Sequence, residues 1–354
     1  LPPDDLRIAR STSLLARNRR RAGAYGEADA LYQQALSVYE RRIGPDHPTT
    51  AQLLDHLGIV AVDLHHFDEA TARSTRALAI KRRVFGAESS EYADTLSNLG
   101  NARFRRGDVD GAVAAWQGSL AIYEARSPGA HEDIARVLGN LGVARSRQGR
   151  FDDAAALHRR TLAIRSAHAS PAIGQSHDNL GHVLFDRGDY AGAIAEYRLA
   201  LDADRKNRPR DVFRDRTAIA QALVYSGRCA EARPDLRALI GDIDAQAGAY
   251  RTELIEALTS LGRCELEAGS AAVATALLER ALATAQPFID KGDMDPVEIA
   301  VAQLEAARAL WASGGNHARA DQLAAAAERA LDTPSMRLDY GRAVAWRRSH
   351  RAKP

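Results

Sequence analysis

Apolar and small residues recur along the whole chain at helical spacing, in units of about 42 residues. Three consecutive units read LLDHLGIVAVDLHHFDEATARSTRALAI, TLSNLGNARFRRGDVDGAVAAWQGSLAI and VLGNLGVARSRQGRFDDAAALHRRTLAI, and their glycines Gly58, Gly100 and Gly142 are 42 residues apart. Each unit contains two stretches whose apolar residues share one helical face, separated by a short turn. No alternating pattern typical of a strand competes with them. A period of this size predicts a solenoid, in which each unit buries its apolar face only against the next.

A small residue after each turn identifies eight units: Ala28, Ala70, Ala112, Ala154, Ala193, Ala232, Ala274 and Ala320. Glycine ends the first helix at most turns, because a left-handed cap leaves no room for a side chain. His65 takes this place in the second unit, which predicts a strained turn. Glycine in the middle of a helix costs about 1 kcal/mol relative to alanine. Its recurrence at Gly58, Gly100 and Gly142 therefore predicts that the neighbouring helix approaches too closely for a side chain.

These residues resemble the tetratricopeptide repeat, which has a Leu-Gly pair in its first helix, an aromatic residue at its turn and an Ala-Leu pair in its second helix. The usual repeat has about 34 residues. The longer period, together with Gly-Pro-Asp-His-Pro at 44–48, resembles the kinesin light chain-like variety. The resemblance implies an all-α fold, a right-handed α-solenoid of about eight helix-turn-helix repeats with a C-terminal capping helix.

The repeats predict a single domain that spans residues 1–354. Its repeats fall at approximately 4–44, 45–86, 87–128, 129–168, 169–208, 209–248, 249–292 and 293–333, followed by a capping helix at 335–350. We expect about seventeen helices. Because the chain opens with Leu1 rather than methionine, we also expect a fragment of a longer protein.

Composition narrows the function classes. A net charge of +2 predicts no strong electrostatic field towards nucleic acid or a membrane, and no run of 18 apolar residues predicts membrane insertion. Only four of the 48 basic residues are lysine, which is typical of a GC-rich bacterial genome. Cys229 and Cys264, at apolar positions of adjacent repeats, predict two buried thiols and a cytoplasmic protein.

No catalytic, phosphate-binding or metal-binding motif is present, so we expect neither an enzyme nor a cofactor. Asp290, Asp293, Asp295 and Glu298 offer calcium ligands but lack EF-hand spacing. Capping explains them better, with Asp295 as N-cap, Pro296 first in the helix and Glu298 closing the box. A basic run, Arg17 and 19–21, predicts a solvated helix face or a contact with an acidic partner.

Binding is expected on the first helices, which line the concave side in this kind of repeat. Residues six and two before each mid-helix glycine, and one and five after it, share a face. Asparagine occupies one such position in repeats three, four and five, and an amide can pair with the main chain of an extended peptide; arginines nearby can hold a carboxylate. The candidate peptide-binding residues are Asn98, Asn101, Arg105, Arg136, Asn140, Arg147, Asn179 and His182. Alternatively, these asparagines only bond neighbouring helices.

Two functions stay open at this stage. One is a non-catalytic scaffold that binds a peptide or partner protein in its groove. The other is the regulatory C-terminal arm of a bacterial serine/threonine protein kinase, because the segment RTELIEALTSLGRCELEAGS is similar to the tails of such kinases. The sequence leaves the partner and the oligomeric state undetermined.

Overall fold

The computed structural model describes residues 2, 4–126, 131–246, 250–291, 294–333 and 336–350. This part of the chain contains seventeen α-helices, one short 3-10 helix and no strand. The helices are α1 (Leu6–Arg21), α2 (Tyr25–Ile43), α3 (Pro48–Asp63), α4 (Phe67–Phe85), α5 (Ser90–Arg106), α6 (Val109–Arg126), α7 (His131–Arg147), α8 (Phe151–Ala167), α9 (Ile173–Asp186), α10 (Tyr190–Asn207), α11 (Val212–Tyr225), α12 (Cys229–Asp244), α13 (Arg251–Glu267), α14 (Ala271–Ile289), α15 (Pro296–Ala312), α16 (His317–Leu331) and α17 (Arg337–His350). The prediction of an all-α solenoid is confirmed.

The chain forms two compact units. Unit 1 comprises Leu1–Ala144 and Ala163–His168, and unit 2 comprises Arg145–Leu162 and Ala169–Pro354. Within each unit, consecutive helices pack as pairs and first helices pack on first helices, as α3 does on α5 and α13 on α15. The repeat boundaries predicted at 128/129, 248/249 and 292/293 lie outside the described residues, so a single domain over 1–354 stays a prediction.

Glycines in the first helices face large side chains of the second helices. A Cβ on Gly100 would lie 2.5 Å from the indole nitrogen of Trp116, and a Cβ on Gly181 would lie 2.6 Å from the ring of Tyr197. Trp116 and Tyr197 are both buried. Any side chain at these glycines would therefore force the aromatic ring out of its place, which explains why a poor helix former recurs there.

The turns and caps follow the predicted pattern. Gly107 ends α5 with a positive φ of 95°, and His65 has a φ of 62°, the left-handed conformation that the sequence predicted to be strained. At α15, the Asp295 carboxylate accepts from the Val297 backbone N–H, and Glu298 completes a capping box. The capping explanation of these acids is confirmed.

The C-terminal helix begins at Arg337. The predicted start at Ser335, and the side chain of Leu338, lie outside the described residues. Trp346 packs against the end of repeat eight, where its ring lies edge-on to Trp311 with centroids 5.9 Å apart. Asp293, one of the candidate calcium ligands, is also outside the described part of the chain.

Cys229 and Cys264 correct one expectation. Both are buried as predicted, but they are joined in a disulfide with an S–S distance of 2.20 Å. The sequence placed them in adjacent repeats, and packing of α12 on α13 brings their Cα atoms to 5.2 Å, within bonding range. The argument for a reducing cytosol from two separate thiols therefore loses its basis.

Unit 2 contains a cluster of buried acids around one arginine. Asp178 of α9, Asp204 of α10 and Asp215 of α11 are buried, and each has a carboxylate oxygen 3.4–3.6 Å from the guanidinium of Arg214. One cation cannot neutralise three carboxylates. Burial, together with repulsion from Asp178 and Asp204, raises the pKa of Asp215 to about 7. The folded state therefore holds a proton that the unfolded chain would release.

Two glycine substitutions test the close approach of the helices. Gly100→Ala should lower the free energy of unfolding by about 1–3 kcal/mol through overpacking against Trp116, as should the larger Gly100→Leu. Gly139→Ala, in α7, meets nothing within 4 Å and should raise it by about 0.5–1 kcal/mol through helix propensity. Urea denaturation of both variants checks this. Equal gains in stability would show that the Gly100 contact is absent.

Replacing Asp215 tests the buried acids. Because the folded pKa lies above the unfolded value near 3.8, the stabilisation from this group is complete below pH 4 and is lost as the pH rises to 7. The free energy of unfolding of Asp215→Asn, relative to that of the parent, should therefore increase by roughly 2–3 kcal/mol between pH 5 and pH 8. Denaturant titrations at both pH values measure the difference. Asp202→Asn, on an exposed side chain of α10, is the control; a pH-independent effect of Asp215→Asn would contradict the proton assignment.

Candidate functional site

We define the first-helix face as the residues six and two before, and one and five after, each mid-helix glycine position. In unit 1, this face brings Asn101 of α5 and Asn140 of α7 together, because the Asn140 amide nitrogen donates to the Asn101 amide oxygen at 3.0 Å. The indole N–H of Trp116 also donates to that oxygen at 3.2 Å. These two asparagines therefore bond neighbouring helices, as the alternative hypothesis had it, while each keeps further donor or acceptor capacity.

The other predicted residues of unit 1 differ in how far they are engaged. Arg136 donates to the Ser97 hydroxyl at 2.7 Å and to the Asp133 carboxylate at 3.1 Å. Asn98 is half-buried and Arg105 is exposed, and neither makes a hydrogen bond or ion pair with another described residue. Asn98 and Arg105 are therefore the members of the set whose polar groups remain available for a ligand.

In unit 2, the predicted residues are Arg147, Asn179 and His182. Arg147 is exposed at the end of α7, and Asn179 is half-buried on α9 without a hydrogen bond to the described residues. His182 Nδ1 lies 3.0 Å from the hydroxyl of Tyr197, and the two rings pack edge-on with centroids 5.3 Å apart. His182 Nε2 lies 3.5 Å from the carboxylate of Asp178, so both ring nitrogens face residues of the protein, although about half of the side chain is exposed.

The first-helix face of unit 2 opens into a pocket of about 310 Å³. Four helices contribute residues at this face: His182 and Asp186 from α9, Gln221 and Tyr225 from α11, Glu256, Ser260 and Arg263 from α13, and Val301 and Glu305 from α15. Met336 and Asp339, at the C-terminal helix, complete the wall. His182, a member of the predicted set, therefore lines this pocket. The acidic and aromatic residues at the corresponding positions of the later first helices were not predicted, although their departure from the repeat pattern was a signal for them.

Carboxylates dominate this pocket. Burial, with repulsion from Glu253 and Glu298, raises the pKa of Glu256 to about 7. Burial by the groove walls raises the pKa of Asp186 to about 6, although His182 partly opposes this shift. Carboxyl groups with such pKa values gain from a cation placed beside them. The pocket is thus suited to a positively charged group.

Helix α17 is held at this pocket by an arginine. Arg342 donates to the Asp339 carboxylate at 2.7 Å and to the Glu305 carboxylate. Glu305 also accepts from Arg308 at 2.6 Å, and the Tyr225 hydroxyl donates to Asp339 at 2.9 Å. Although burial opposes its charge, Glu305 raises the pKa of Arg342 above its usual range.

Unit 1 has its own pocket on the first-helix face, of about 400 Å³, between α1 and α3. Its lining residues are Arg10, Ser13, Leu14, Arg17, Tyr32, Tyr39, Thr49, Gln52, Leu53 and His56. Arg10 and Arg17 make no ion pair or hydrogen bond with a described residue. Of the basic run predicted from the sequence, Arg20 pairs with Asp63 at 2.6 Å. The run is thus divided between structural pairs and groups that remain available in the pocket.

Metal ligands and membrane-spanning helices are two further features that bear on function. Within the described ranges, no group of three or more His, Cys, Asp or Glu side chains is arranged to hold a metal ion. None of the described helices is long and apolar enough to cross a membrane.

Comparison with known proteins agrees with the repeat geometry. Models of the tetratricopeptide repeat match residues 7–83, 91–167 and 140–208, more than half of the chain. No curated protein matches it significantly.

Several solved structures share the fold. Tetratricopeptide-like repeats of a kinesin light chain from Podosopora anserina are 20% identical, cover 58% of this chain and 98% of that one, and give a TM-score of 0.50. A signal transduction ATPase with a tetratricopeptide repeat sensor from Pyrococcus horikoshii is 13% identical over 83% of this chain and 44% of that one, with a TM-score of 0.65. Aspartyl phosphate phosphatase F from Bacillus subtilis is 14% identical over 86% and 76%, with a TM-score of 0.61. These likenesses, which include repeats of a kinesin light chain type, show the same fold, and the family models show that the chain belongs to the tetratricopeptide repeat family.

Proposed function

We propose that this protein is a non-catalytic interaction scaffold that binds an extended segment of a partner protein along its first-helix face. The observation that carries this proposal is the position of the two pockets. One pocket in unit 1 and one in unit 2 are both lined from this face, which the sequence periodicity had defined beforehand. A groove with apolar walls and a few unsatisfied polar groups is the usual form of a binding site.

The unpaired amides support a peptide rather than a compact ligand. Asn98 and Asn179 lack partners among the described residues, and each amide offers a donor and an acceptor that match the main chain of an extended segment. Arg105, exposed and without an ion pair in the described structure, can hold a carboxylate of that segment. The asparagine and arginine residues predicted from the sequence thus stay candidate ligand contacts, with Asn101 and Asn140 positioning each other.

A second candidate function is that of a regulatory arm in a larger signalling protein. The bacterial serine/threonine kinase arm predicted from the sequence is one form of it. The observation that favours this class is the likeness to the ATPase from Pyrococcus horikoshii, whose tetratricopeptide repeats serve as a sensor and of which this chain covers 44%. A partner that proves to be a catalytic domain of the same polypeptide would support it.

With this function we propose a cytoplasmic location, and the redox state of the two cysteines in cells tests that location. Alkylation of intact cells, followed by mass spectrometry, will show whether Cys229 and Cys264 are bonded there. A predominantly bonded pair would favour an oxidising compartment instead, because structural disulfides are uncommon in the cytosol.

Removing the three asparagines that share one position in repeats three, four and five should weaken partner binding. With a partner identified by affinity capture, Asn98→Ala, Asn140→Ala and Asn179→Ala together should cost about 2–4 kcal/mol of binding free energy, at about 1 kcal/mol for each lost hydrogen bond and more near charge. Affinity should also fall as salt is raised, because arginine contacts are screened. Isothermal titration calorimetry of parent and variant measures both effects.

A matched control separates binding from folding. Asn207→Ala removes an exposed amide at the end of α10, outside the first-helix face, and should leave affinity unchanged. Asn140→Ala alone removes the bond to Asn101 and should lower the melting temperature more than Asn98→Ala or Asn179→Ala. If the triple variant binds as tightly as the parent, the peptide does not lie on this face.

A further inference from the structure

Two carboxylates that line the acidic pocket of unit 2 already bind a guanidinium group beside it. Arg342 of α17 is bound by the carboxylates of Glu305 and Asp339, and its Cζ atom lies 5.6 Å from the ring centre of Tyr225. Two of these three partners, Glu305 and Tyr225, come from the first-helix face. The face is therefore chemically able to bind an arginine side chain between carboxylates and an aromatic ring.

Glu256 lies in the same pocket without any such partner. Its carboxylate makes no hydrogen bond or ion pair with the residues that the structure describes, and the charges nearest to it, Glu253 and Glu298, have the same sign. Glu298 is already engaged, since it accepts from the Asp295 backbone N–H at 3.2 Å. A half-buried carboxylate beside two like charges is costly to keep ionised, and a cation from a ligand lowers that cost.

The walls around Glu256 suit a long aliphatic stem that ends in a charge. Ile255, Val297 and Val301 line the pocket beside it, with Met336 at the C-terminal helix. At about 310 Å³, the volume is at the lower end of the range of small-ligand pockets, roughly 300–1,000 Å³. One extended side chain therefore fits this space better than a bulky group.

Arg263, the cation of the α13 face, is engaged elsewhere. Its Nε donates to Glu267 at 3.2 Å, and its guanidinium lies 4.5 Å from the ring centre of Tyr225. Its Nη1 is buried without a hydrogen-bond partner among the described residues. Arg263 therefore makes no ion pair with Glu256 in the described structure, and the carboxylate of Glu256 stays available to a cation from a ligand.

We propose that this pocket binds an arginine side chain of a partner peptide, whose guanidinium donates to the Glu256 carboxylate. The assignment rests on the proposed peptide-binding function and names the residue that the peptide must carry. Charge complementarity favours an arginine side chain as the ligand. The carboxylate of Glu256 has no ion-pair partner among the described residues, the walls beside it are apolar, and Arg342 is bound nearby by two carboxylates.

The test uses nonapeptide pools in which the central residue is fixed and the others are randomised. Binding of the complete chain is measured by fluorescence anisotropy for pools fixed as arginine and as citrulline, the neutral analogue of arginine. The arginine pool should bind at least about tenfold more tightly. In the Glu256→Gln variant, the affinity for the arginine pool should fall to the affinity for the citrulline pool. Glu279→Gln, which changes an acid on the second helix α14 outside this pocket, should have no effect.

The outcomes are separable. Equal binding of the arginine and citrulline pools, or an unchanged arginine preference in Glu256→Gln, would overturn the arginine site while leaving a peptide scaffold in place. Failure of every pool to bind would contradict the proposed function itself. The citrulline comparison leaves the protein unaltered, so its result does not depend on how the variant folds.

Discussion

The close approach between a glycine of a first helix and a large side chain of the following helix, seen at Gly100, Gly181 and Gly262, fixes the geometry on which the rest of the structure depends. Trp116 lies over Gly100, Tyr197 over Gly181, and both leave no space for a Cβ. In the first repeat, alanine takes the place of this glycine, and Ala16 and Tyr32 are both buried. Because this contact sets the rotation of the first helix about its own axis, it also decides which residues remain on the first-helix face.

The same contact positions the residue that follows the glycine. The Trp116 indole N–H reaches Asn101, and the Tyr197 hydroxyl reaches His182. In repeat seven, the residue over Gly262 is Leu278, which has no polar atom. Arg263, the following residue, accordingly retains a buried N–H without an acceptor. A difference in the core residue of one repeat therefore becomes a difference in the chemistry that the surface offers to a ligand.

What the sequence could predict was local. Helix number, the left-handed His65 and the Asp295 cap all follow from residues close together in the chain, and the structure confirms them in its described part. Contacts between side chains of different helices were harder to predict from the sequence. The disulfide depends on the 5.2 Å approach of two Cα atoms that are 35 residues apart. The amide contact joins Asn101 to Asn140, which occupy different positions in their repeats. A comparison of asparagines at the same repeat position could therefore not predict it.

Sequence reasoning reached only one edge of the pocket of unit 2, at His182. Its other charged and aromatic residues lie on separate helices as far as Asp339, and each one alone resembles an ordinary departure from the repeat. Buried ionic groups such as Glu305 and Arg342 are a weak source of stability, since removal from water offsets much of their attraction. A repeat that needed only to stack would keep apolar or small residues there. Departures from a local rule without a gain in stability are expected at functional sites, and in this unit they converge on one pocket. That convergence is the physical reason to look for the ligand there before the polar residues of repeat three.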